Sequence, residues 1–90
     1  MAYLGTFKIN TGRTFIQFEN MDSVDITLEE GKTYICQVQG GKILACMSTE
    51  QPDGGYVIEN DEGFVATPKN GTKLWIKNVA STDIQLIISD

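Results

Sequence analysis

The stretch Thr33-Tyr34-Ile35-Cys36-Gln37-Val38-Gln39-Gly40-Gly41-Lys42-Ile43-Leu44-Ala45-Cys46-Met47-Ser48 decides the fold class. Both halves place apolar residues at every second position, which is the periodicity of a strand with one face buried. Gly40-Gly41 between them suits a two-residue primed turn, so the sequence predicts a β-hairpin. In that register Val38 faces Ile43, Cys36 faces Ala45 and Tyr34 faces Met47, and these six residues make one core-like face. Cys46 then falls opposite Ile35 on the other face, so the two thiols cannot bond. A three-residue loop would instead set Cys36 across from Cys46, with a less tidy apolar face. The two-residue register is preferred, and with it free thiols.

Outward from this centre, turn signals recur every eight to twelve residues and the segments between them alternate with period two. Towards the N-terminus the expected strands are Tyr3 to Ile9, Arg13 to Phe18 and Val24 to Leu28, the last with Val24, Ile26 and Leu28 on one face. Towards the C-terminus they are Tyr56 to Glu59, Phe64 to Thr67, Lys73 to Lys77 and Asp83 to Ser89. Leu74 and Ile76 point one way and Lys73, Trp75 and Lys77 the other, while Ile84, Leu86 and Ile88 face the core. No stretch has a helical period. The expectation is a single all-β domain over residues 1–90, a compact antiparallel β-sandwich or jelly-roll-like barrel of about eight strands, with residues 1–8 as a docking arm or edge strand.

Size and charge narrow the function. A chain of 90 residues should expose roughly 5,200 Å² when folded and roughly 14,000 Å² unfolded, burying about 64% of its surface. That is one thin core with little room for an enclosed active site. Seven basic against 12 acidic residues give a net charge of −5, which repels phosphate and disfavours nucleic acid and anionic membranes as partners. The start, Met1-Ala2-Tyr3-Leu4-Gly5-Thr6-Phe7-Lys8, has neither a basic nor an apolar leader region, and the longest apolar runs are far short of a membrane span. The chain contains no histidine, so the usual general base and the commonest metal ligand are both missing. Two cysteines without histidine make a poor zinc site, and they read best as small buried thiols.

Nothing replaces the missing imidazole. The acidic residues sit in turns, at Glu29-Glu30, Asp53 and Asp61-Glu62, without calcium-loop spacing. Gly40-Gly41 and Gly54-Gly55 precede no helix and no Lys-Ser or Lys-Thr pair, so they are turn residues and not phosphate cradles. The expectation is a chain that is not an enzyme, has no cofactor and holds no metal. Aromatic residues are left as the candidates for contact. They suit a core or subunit interface better than a sugar platform, and the lysines beside Trp75 favour an edge or interface position.

The second half of the chain also resembles a family. Its motifs are Glu30-Gly31-Lys32-Thr33-Tyr34 leading into a strand, Gln39-Gly40-Gly41-Lys42-Ile43-Leu44, and Gly63-Phe64-Val65. They continue with Thr67-Pro68-Lys69-Asn70-Gly71-Thr72-Lys73-Leu74-Trp75-Ile76-Lys77 and a closing Ile84-Gln85-Leu86-Ile87-Ile88-Ser89. This cadence, covering roughly Glu29 to Ser89, resembles small all-β virion proteins of tailed bacteriophages, including capsid decoration, head-fibre and tail accessory proteins. Residues 1 to 28 lie outside it. The resemblance implies a structural protein of the virion, made in the host cytoplasm and docked on the major capsid protein or another virion protein. It also implies a homo-oligomer, with a trimer favoured, and no catalytic residues. The candidate subunit or capsid contacts are Ala2, Tyr3, Leu4, Phe7 and Trp75. A rival reading is a carbohydrate-binding or host-adhesion module in which Trp75 and Tyr56 stack on sugar rings.

Overall fold

A computed structural model describes residues 2–90 and contains eight strands and one short 3-10 turn. The strands are β1 (Tyr3–Ile9), β2 (Ile16–Gln17), β3 (Tyr34–Gln39), β4 (Ile43–Ser48), β5 (Tyr56–Ile58), β6 (Gly63–Ala66), β7 (Lys73–Asn78) and β8 (Ile84–Ser89). They form two four-stranded sheets, ordered β1-β8-β3-β6 and β2-β7-β4-β5, with every pairing antiparallel.

The pairs β1–β8, β2–β7, β3–β6 and β4–β5 each join strands whose numbers add to nine. The chain is thus one long hairpin bent at β4–β5 and rolled up, with β3–β8 and β4–β7 zipping the turns together. That strand order is a jelly roll. The inner faces of the two sheets share one core, to which Phe7, Tyr34, Cys36, Val38, Leu86 and Ile88 come from one side and Ile43, Ala45, Leu74 and Ile76 from the other. Phe18 joins them, its ring edge-on to Phe7 at 5.4 Å and 86°. The exposed surface is 5165 Å², which matches the value of about 5,200 Å² that mass alone requires.

Three sequence expectations need correction. The first concerns the Gly40-Gly41 turn. It is not a hairpin turn, because β3 and β4 lie in different sheets and do not pair. Gly40 adopts φ 98°, its N–H donates to Asn60 Oδ1 at 2.8 Å, and the chain crosses here from one sheet to the other. The alternation does mark the buried face, since Tyr34, Cys36, Val38, Ile43 and Ala45 are all buried. Alternation specifies which face is buried and says nothing about which strand lies alongside.

The second concerns Val24 to Leu28, which is no strand. Leu28 is buried and Val24 and Ile26 pack on the core, yet side chains satisfy the backbone here. The Leu28 N–H donates to Glu19 Oε1 (3.0 Å) and the Glu29 N–H to the Tyr34 hydroxyl (2.8 Å). The third is Arg13 to Phe18, where only Ile16 and Gln17 pair, with Ile76 and Trp75. The chain then tightens into the 3-10 turn Phe18–Asn20, which drops the Phe18 ring into the core.

Candidate functional site

The candidate contact residues fall in two places. β1 is the edge of its sheet, and Ala2 is tied to Asp90 by backbone hydrogen bonds of 3.3 and 3.0 Å. Ala2 and Tyr3 are exposed, the Tyr3 hydroxyl bonding Thr6 Oγ1 at 2.6 Å. Leu4 packs on the core and Phe7 is only 4% exposed. Phe7 therefore belongs to the interior and is not available as a contact residue. Removal of β1 would therefore take Phe7 out of the core.

Trp75 lies on the outer face of β7, half-buried, level with Gln17 and Cys46 on the neighbouring strands. Its Nε1–H donates to the Ser48 carbonyl at 3.0 Å, so its one polar group is already engaged. Tyr56, 80% exposed, stands opposite Ala45 on β5. Residues directly opposite on paired strands point the same way, and Ala45 points inward. Trp75 and Tyr56 consequently lie on opposite faces of one sheet with β4 between them, and they do not form a joint stacking platform.

Among the described residues no group of three or more Cys, Asp or Glu is placed to hold a metal. Cys36 and Cys46 are unbonded, and they sit in different sheets. Burial among apolar neighbours pushes the Cys36 thiol up to about 12, which keeps it protonated and unreactive. Outside the core, Lys32 and Asp90 pair at 2.8 Å, and this contact raises the pKa of the lysine and lowers that of the carboxyl. Among the described residues no helix is long and apolar enough to cross a membrane.

One feature was missed in the sequence. Where β5 and β6 form the free margins of the two sheets, the sandwich gapes into an open cleft of about 620 Å³. Ala45, Met47, Tyr56, Ile58, Phe64 and Leu74 line it, together with four further uncharged residues. Of these, Val57 and Val65 are 55% and 62% exposed. The available signal was the lack of any charge within Tyr56–Ile58 and Gly63–Ala66, but only the topology brings these two short strands together. Comparison with family models, with curated proteins and with solved structures finds no match to the chain.

Proposed function

We propose that the chain is a non-enzymatic structural protein of a virion, a capsid decoration or head-stabilising protein that docks on the major capsid protein or another virion protein as an oligomer. The carrying observation is the uncharged cleft and its exposed apolar margins. Such a surface suits a protein partner's apolar side chains and gives a polar ligand little to bond. The jelly-roll strand order is compatible, since that architecture serves capsid and lectin domains alike, but fold does not determine function. Tyr3 and Trp75 remain the candidate contacts outside the cleft. The net charge of −5 weighs against nucleic acid and anionic lipid as the partner.

Co-expression with the coding sequences that flank its own, followed by gradient sedimentation, tests this. The expected result is that the chain travels with assembled particles and is lost from them when Val57, outside the β6 margin, is changed to Ser. If particles assemble while the chain stays in the light fractions, the proposal is overturned. Tyr56, so widely exposed at the mouth of the cleft, supports the second reading of a carbohydrate or host-adhesion module. Specific binding on a glycan array that Tyr56→Ala or Trp75→Ala removes would favour that reading.

A further inference from the structure

The four sheet margins are unequally protected. β1 carries a register shift between Tyr3 and Gly5 and an exposed Lys8 paired with Asp83 at 3.8 Å, and β2 is only two residues long. A bulge, a charge and brevity are the usual means by which an edge strand is kept from pairing with another chain. β5 and β6 contain no charge, no proline and no bulge within their ladders.

Of these two, β6 has the backbone and the charges for pairing with itself. The Val38 N–H donates to the Glu62 carbonyl at 3.0 Å, which sets the phase of the β3–β6 ladder. An antiparallel ladder alternates, so Phe64 and Ala66 bond towards β3 while Gly63 and Val65 turn their N–H and C=O groups outward. We infer that β6 is the seat of a two-fold dimer, in which Val65 of one copy pairs with Val65 of a second copy and joins two sheets into one of eight strands.

The register is fixed by phase and charge together. With Val65 on the two-fold axis, Gly63 of one copy lies across from Thr67 of the other. The Asp61–Glu62 end of each strand then meets the Lys69 end of its neighbour. Asp61 and Lys69 are exposed, and neither enters an ion pair among the described residues. The same operation on β5 would set Asp61 against Asp53, two carboxylates, so β5 pairing repels where β6 pairing attracts. On the outer face Val65 stands beside Ile35, itself 39% exposed, and the dimer brings both apolar pairs together. The inference stands whether or not the chain belongs to a virion.

Sedimentation equilibrium across two decades of concentration provides the test. The expected result is a reversible shift from the 9.9 kDa chain mass to twice that value. Val65→Lys, which sets two lysines against each other on the axis, is expected to hold the chain at the single mass with unchanged near-ultraviolet circular dichroism. Lys69→Glu raises the dissociation constant about fivefold, through loss of two rim pairs, while Lys42→Glu, an equal change of charge elsewhere, matches it by less than half. Amide exchange at Gly63 and Val65 slows as concentration rises. A chain that stays single at its highest soluble concentration, a trimer, or a dimer indifferent to Val65→Lys each overturns the inference.

Discussion

Among the described residues Asn78 is the one buried polar side chain of the core, 3% exposed, and both its nitrogen and its oxygen are hydrogen-bonded. Its Nδ2 group donates to the carbonyls of Ile9 (2.9 Å) and Thr82 (3.1 Å), and its Oδ1 accepts from the Ala80 N–H (2.9 Å). One amide thus ties β7 to the end of β1 and shapes the turn into β8. Asn78→Ala leaves buried backbone groups without partners and is expected to cost about 1–3 kcal/mol in urea unfolding, more than Asn78→Ser if the shorter hydroxyl still reaches one carbonyl. Gly55 is constrained by space. A Cβ there would stand 2.6 Å from the Ala45 carbonyl oxygen, so Gly55→Ala must push β5 away from β4. Lower melting temperature together with faster exchange along Tyr56–Ile58 is the expected signature. The thiols differ in the same physical terms. Titration with a disulfide reagent should find Cys46 slowly reactive in the native chain and Cys36 reactive only after unfolding.

Among the elements, β1 and the 3-10 turn are joined by an aromatic contact in the core. Phe7 and Phe18 meet edge to face at 5.4 Å, with Phe18 wholly buried. Phe18→Ala is expected to cost about 3–5 kcal/mol, which denaturant unfolding measures directly, and Phe18→Leu considerably less. Truncation that removes Tyr3–Ile9 takes two core residues and bares the edge of β8, so the shortened chain should show no cooperative melt. Elements were also where the sequence was most and least informative. The expected strands overlap all eight observed ones, Arg13–Phe18 being longer than β2, and even in Val24–Leu28 alternation named the side that faces the core. What it lacked was pairing. Gly40-Gly41 has the composition of a hairpin turn, yet it serves a crossover, and both edges of β3 are taken by β6 and β8. Trp75 was legible as an outward residue from its flanking lysines. The cleft was not legible, since Tyr56–Ile58 and Gly63–Ala66 are too short to reveal which margin each occupies.

At the scale of the whole molecule, every strand pair but one joins segments distant in sequence, and the last strand must find the first. Such topologies close large loops before contacts reward them, so refolding in milliseconds to seconds is expected. Stability should fall at both extremes of pH for a reason visible in the Lys32–Asp90 contact. Asp90 has a pKa lowered below its ordinary 3.8, chiefly by the hydrogen bond from Lys32, so its stabilisation is complete above that value and is lost as pH falls through the folded value. Lys32 has a pKa raised above 10.5, chiefly by Asp90, so its stabilisation is complete below that value and is lost as pH rises through the folded one. Asp90→Asn should therefore lower the melting temperature at neutral pH, by an amount that shrinks as pH falls through the folded pKa of Asp90. The Ala2–Asp90 hydrogen bonds, described above as a property of the edge strand, also have a geometric consequence. A peptide joined before Ala2 and another joined after Asp90 would leave the domain from a single corner, on the β1 margin, with β6 at the far side of the same sheet. Cargo attached at either end, or the whole domain spliced as a loop into a host protein, would hang from that corner like a bead on a clasp and leave the opposite margin open.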